Sequence, residues 1–244
     1  MLETLTVFFE SLGVTKVPEQ LEYLSDIPNL LFIVWETLYA PLAATLFAYL
    51  IGLPLGVLLV TGEPEGIRPM PRWLMTTLNT VINLLRSVPF LILMVLVFPL
   101  SRLILGTTIG TTATIIPLTV AAAPYVARLV EASLREMDRG VVEAAQSMGC
   151  STWQIITKVM LPESLPSLIS GGTITVGTIL GYGAMAGIIG GGGLGKIAIN
   201  YGYYNFKYLV MWAAVICLIL LVQLLQSAGT KLAQKSDKRL RNRS

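Results

Sequence analysis

The sequence predicts an all-α membrane protein with five transmembrane helices. Three observations predict it. Hydrophobic residues make up 54% of the 244-residue chain and only 13% are charged, about half of the ~25% found in soluble domains. The mean hydropathy is +0.72. Charge-free runs recur at the ~20 residues a helix needs to cross a bilayer. The chain has no histidine, which removes serine–histidine triads, histidine metal sites and the zinc-protease motif together. Cys150 lies in a polar stretch and Cys217 in an apolar run, which argues against a disulfide framework.

Residues 1–36 hold six acids (Glu3, Glu10, Glu19, Glu22, Asp26 and Glu36) against Lys16 alone. With no basic start, a cleavable signal peptide is not expected. Leu2, Leu5, Phe8, Phe9 and Leu12 recur at helical spacing, which allows a helix lying on the membrane surface. A loosely ordered acidic tail has the same composition. Span one is the run from Thr37 to Gly62, 26 residues without a charge. Thr61 to Gly66 is a turn-rich loop.

Span two is predicted from Trp73 to Leu100, kinked at Pro89. Arg86 lies inside it. An arginine within a span faces a cavity or a partner, or snorkels to headgroups from near the inner end. Arg102 and the Gly106–Gly110 region return the chain. Span three runs from Thr111 to Val130 and includes Pro117, Pro124 and a small-residue surface, Ala121-Ala122-Ala123, suited to close packing. Span four starts near Ser164 to Pro166 and ends about Ile189. Span five is the uncharged 23 residues from Tyr208 to Thr230. The chain thus divides into an acidic segment 1–36, a five-span domain 37–230 and a basic tail 231–244.

Five spans place the termini on opposite sides, and basic residues choose the orientation. With the tail inside, the inner segments hold thirteen Lys and Arg and the outer segments hold four, Lys16, Arg102, Lys196 and Lys207. The expected topology is N-terminus outside and C-terminus cytoplasmic. The tail then meets anionic lipid.

The polar stretch between spans three and four, within residues 131–165, reads as a hairpin of two short helices. Asp138 caps the first, and Gly149 stops it in a left-handed conformation. Ser151 and Gln154 form a capping box for the second, and Pro162 is expected to end it. Ala144 and Ala145 offer a small face, with charges opposite. The arrangement serves either as a plain connector or as an elbow seated in a groove of another protein.

Glu143-Ala144-Ala145, Gly149 and Leu161-Pro162 resemble the EAA loop of bacterial ABC importer permeases, the coupling helix that docks on the ATPase. The resemblance extends to Arg86-Ser87-Val88-Pro89-Phe90, to Gly106 through Thr112, to Ile116 through Arg128, to Gly181 through Gly195 and to Ile199-Asn200-Tyr201-Gly202-Tyr203. Over about Leu31 to Gly229 the chain resembles the methionine-importer permeases. That resemblance implies a type I ABC importer permease fold with cytoplasmic coupling helices, working as a homodimer in the bacterial cytoplasmic membrane. It implies two copies of a separate ATPase subunit, which binds ATP and magnesium, and an extracytoplasmic methionine-binding lipoprotein. The implied cargo is L- and D-methionine. Two features depart from the family: the acidic residues 1–30, and Cys150 where a small residue is common.

Gly190 to Lys196 fits the spacing of a phosphate-binding loop but lacks its preceding strand and its hydroxyl residue after the lysine, a place held by Ile197. Nucleotide is therefore expected on another polypeptide, and no catalytic residue, cofactor, metal or nucleic-acid site is expected on this chain. Glu143 is expected to orient the elbow by pairing with a base or with backbone donors. Gly149 permits its bend, and Leu161 and Pro162 fix its exit. Met185, Tyr182 and Arg86 are the gate and pore candidates. Two copies of Met185 at a dimer axis would form a soft apolar plug; packing at the interface is the plainer use. An intramembrane enzyme is disfavoured, because it would need an ionisable constellation at membrane depth, and the spans offer only Arg86 there, with Arg128 at the inner end of span three. A permease for another small amino acid or a methionine derivative, or a nucleotide-independent channel or scaffold, remains the alternative.

Overall fold

The computed structural model of the protein describes residues 29–236, and these fold into helices and connecting turns without a strand. The expected surface helix over Leu2–Leu12 and the end of the basic tail lie outside the described residues. Helix α1 is Leu30–Thr61. It begins ahead of Thr37, so Glu36 is helical. At 1.5 Å per residue its 32 residues reach about 48 Å, well beyond the ~30 Å hydrocarbon core, so an acid near its start can stand clear of lipid.

Span two differs from expectation. It is not one kinked helix but two, α2 (Arg72–Ser87) and α3 (Phe90–Leu105), bent by 111°. The reason is local. Val88 precedes Pro89, whose ring excludes the helical region for the residue before it, and Val88 is extended at φ −79°, ψ 128°. Pro89 then opens α3 instead of bending a continuous helix. A turn of 3₁₀ helix at Thr112–Thr114 leads into α4 (Ile115–Arg135). Next come α5 (Arg139–Ser147) and a second short arm, α6, made of Thr152–Gln154, a π-helical Ile155–Met160 and Leu161–Glu163. Helix α7 is Leu165–Ala186. Helix α8 (Gly193–Ile197) continues as a π-helical Ala198–Tyr204, and α9 is Tyr208–Ser236. Among the described residues, four helices are long and apolar enough to cross a membrane, and the bent pair α2–α3 brings the number to five when taken as one broken span.

The core is the α1–α4 pair. On α1 a small residue recurs every fourth position: Ala40, Ala44, Ala48, Gly52 and Gly56, all buried. A Cβ on Gly52 would stand 2.8 Å from the Ala123 carbonyl oxygen, and one on Gly56 would stand 2.6 Å from that of Ala127. The two backbones therefore touch. Between lipid-facing helices, close approach of this kind replaces the hydrophobic drive that water would supply. Ala122 and Ala123 sit in this core as expected. Its partner stripe on α1, a small residue at every fourth place from Ala40 to Gly56, was legible in the sequence and is the feature that sets the packing.

Hydrogen bonds fix the register at both ends. At one end, Thr111 donates to the Glu36 carboxylate at 2.8 Å, Tyr39 and Thr112 share a 2.9 Å bond, and the Gly110 amide donates to the Gly190 carbonyl at 2.8 Å. At the other, Arg135 pairs with both Glu63 and Glu131, and Glu131 with Arg128 at 2.6 Å. Arg128 also donates to Asn79 and Asn83 at 2.8 and 2.9 Å. This chain of charges joins the loop after α1, helix α4 and the polar face of α2.

Candidate functional site

The elbow stands at the Glu63 end of the bundle, joining α4 to α7. Its two caps form as expected. The Asp138 side chain accepts from the Gly140 amide at 2.8 Å, and Ser151 and Gln154 exchange both bonds of a capping box. Gly149 lies at φ +76° with open space where a Cβ would stand. Backbone conformation, not crowding, therefore demands glycine there.

Three expectations are corrected. Ala144 and Ala145 do not share one face: Ala145 is buried and Ala144 is exposed. Consecutive helical residues point about 100° apart, so one of the pair anchors the elbow and the other looks outward. The Glu143 side chain makes no ion pair and no hydrogen bond among the described residues. It lines a groove of about 530 Å³ with Glu63, Glu65, Arg135, Arg139 and Gln146. Orientation of the elbow comes instead from the α4 ion cluster and from Ser167 on α7, which bonds Glu136 at 2.9 Å and Ser133 at 3.0 Å. Finally, Pro162 does not end α6. The helix widens to π geometry before it and runs to Glu163. Proline removes an amide and crowds the carbonyl four residues back, and the wider turn accommodates both. The break falls at Ser164, and Pro166 occupies the first turn of α7, where proline is favoured. Leu161 is half-buried against the core.

The outward surface of the elbow is apolar. Met148 is 76% exposed and Trp153 72%, with Val141 also exposed. No described element covers them.

The pore candidates separate into two sets. Arg86 and Tyr182 line one cavity of about 210 Å³ at the α2–α3 break. The Tyr182 ring stacks on Phe90, centroids 4.3 Å apart and planes 6° apart. Met185 lies one turn further along α7, outside that cavity and 41% exposed.

The glycine stretch is structural. Glu36 accepts from the Gly193 amide at 3.2 Å and Thr37 from the Leu194 amide at 2.9 Å. Amides that a phosphate would need already face a carboxylate. A Cβ on Gly195 would run into the Ala184 carbonyl oxygen, so these glycines let α7 and α8 cross backbone to backbone.

The sequence and the fold both have relatives among known proteins. Residues 52–238 match the family model described as "Binding-protein-dependent transport system inner membrane component". The chain belongs to that family. Among its relatives is the probable D-methionine transport system permease protein MetI of Vibrio cholerae serotype O1. It is 49% identical over 213 residues, covering 86% of this chain and 93% of the relative. The counterpart in Pasteurella multocida is 50% identical over 205 residues, covering 84% and 94%. A chain of the MetNI methionine ABC transporter, solved in inward-facing conformations, superposes with a TM-score of 0.84 at 43% identity, covering 87% of this chain and 99% of its own. The fold is accordingly that of a type I ABC importer permease, and this member of the transport family is a multi-pass protein of the inner membrane.

Proposed function

We propose that this chain is the permease of an ATP-driven methionine importer, and that residues 131–165 are the handle by which a separate ATPase moves it. One observation carries the reading. The elbow is held firmly at its base by the Arg128–Glu131–Arg135–Glu63 cluster, yet it presents bare Met148 and Trp153 at its tip. A rigid root with an uncovered apolar tip suits force taken from a partner.

A second copy of the chain completes the pore, and each elbow seats in one of two ATPase subunits. ATP and magnesium act there, not here. An extracytoplasmic methionine-binding lipoprotein delivers the cargo to the Glu36 end. The excess of basic residues at the elbow end supports a cytoplasmic position for that end, with the N-terminus outside. When ATP closes the ATPase pair, the elbows approach one another. Helices α4 and α7 leave the elbow directly and carry the motion upward. Methionine passes only if nucleotide favours one of the two states. Met185, exposed on α7, is proposed as the plug at the dimer axis, with Tyr182 behind it.

The test is reconstitution. The chain purified with its ATPase and sealed in proteoliposomes with the binding protein should accumulate methionine only with ATP. Conduction of amino acids by the chain alone, without nucleotide, would instead favour a channel.

A further inference from the structure

We propose that the cavity at the α2–α3 break is a subsite for one free α-amino acid with an uncharged apolar side chain. The proposal rests on the transport reading above and adds where the cargo is held and by which atoms. The walls come from the middle of α4 and of α7, so the cavity lies at membrane depth. Its volume is about 210 Å³, below the roughly 300–1,000 Å³ of pockets for drug-sized ligands and matched to a single amino acid.

Arg86 is the cavity's charge. It makes no ion pair and no hydrogen bond among the described residues, and no described acid lines the cavity. Arg86 is exposed in the single chain, and where it lines a cavity within a span its charge calls for a partner. A carboxylate fits it, because the guanidinium presents a planar fork of donors. Tyr125 also lines this space, and its hydroxyl has no hydrogen bond among the described residues. Thr178 donates to the Ile174 carbonyl at 3.0 Å, which leaves its oxygen able to accept from an ammonium group. The break supplies the same polarity in the backbone. The last carbonyls of α2 and the first amides of α3 meet there, as in the discontinuous helices that hold zwitterions at the midplane of other transporters. The stacked Phe90–Tyr182 pair gives an apolar wall, which accepts a thioether or alkyl side chain. A cationic side chain would find Arg86 and no acid.

The experiment uses the chain purified with its ATPase in nanodiscs, without nucleotide or binding protein. Labelled L-methionine is bound to saturation and displaced by norleucine, by methioninol, which lacks the carboxylate, and by lysine. Norleucine should compete about as well as methionine. Methioninol should be about ten- to a hundredfold weaker, and lysine weaker still. Arg86→Ala should weaken methionine by the same factor and leave methionine and methioninol equal, while Arg86→Lys restores part of the difference. Equal affinity of the unsubstituted protein for methionine and methioninol overturns the subsite, and that comparison needs no variant. So does an Arg86→Ala protein that still co-elutes with the ATPase and discriminates normally. Absence of saturable binding, in a preparation that accumulates methionine once ATP and binding protein are added, overturns the subsite and leaves the transport reading standing. Absence of both removes both.

Discussion

Gly149 and Glu36 do different work by the same means, holding a backbone in a conformation it would otherwise leave. Gly149 sits at φ +76°, where a side chain costs about 1–2 kcal/mol. Gly149→Val should therefore leave the spans assembled and misplace the tip of the elbow. The expected outcome is ATP hydrolysis with methionine uptake reduced at least about tenfold, which corresponds to ~1.4 kcal/mol of lost coupling. Unchanged uptake would count against the elbow as the handle. Glu36 bridges Thr111 and the Gly193 amide. Glu36→Ala leaves both donors without that acceptor and should lower stability by about 1–3 kcal/mol, read as an earlier thermal transition in detergent. An unshifted transition would show that the backbone crossing holds the glycine turn unaided. Glu131 is 9% exposed between two arginines. Glu131→Leu removes the carboxylate both arginines share but leaves Arg135 its pair with Glu63 and Arg128 its bonds to Asn79 and Asn83, and should cost about 1–3 kcal/mol; a protein purified at normal yield and stability would refute that role.

Elements followed the sequence where one local rule decides and departed where two compete. Asp138, Gly149 and the Ser151–Gln154 box each act within four residues, and each was legible. Charge-free length located α1, α4, α7 and α9. The start of α1 and the ends of α4 and α9 lie beyond the expected spans because a helix can outrun the bilayer, and Glu36 was counted as tail for that reason. Prolines were harder to read. Pro89 acts through the residue before it and breaks the span. Pro162 is absorbed by a π turn. The four-residue stripe on α1 gives the element-scale prediction. Gly52→Leu or Gly56→Leu drives a side chain into the Ala123 or Ala127 carbonyl and should cost at least the ~1–3 kcal/mol of overpacking. Lost yield and early thermal unfolding are expected. Normal behaviour of both variants would mean that the α1 and α4 backbones do not touch.

For the whole molecule, the two ends of the α1–α4 core are tied by hydrogen bonds and ion pairs across elements, not by any one segment. The sequence carried the pieces of the Glu63–Arg135–Glu131–Arg128–Asn79 chain without showing that they meet, because its Glu63–Arg135 and Arg128–Asn79 links join residues 72 and 49 positions apart. The same holds for Arg86 and Tyr182, which share a cavity only once α2, α4 and α7 are packed. The central claim is mechanical: the elbow transmits force from an ATPase. The most direct measurement places a cysteine at Trp153 in a chain whose Cys150 and Cys217 are serine, then crosslinks it in intact membranes containing the ATPase. The account predicts an adduct with the ATPase subunit, protection from impermeant thiol reagents added outside, and a change in adduct yield on adding ATP. Labelling of that cysteine from the exterior, with no ATPase adduct, would contradict it.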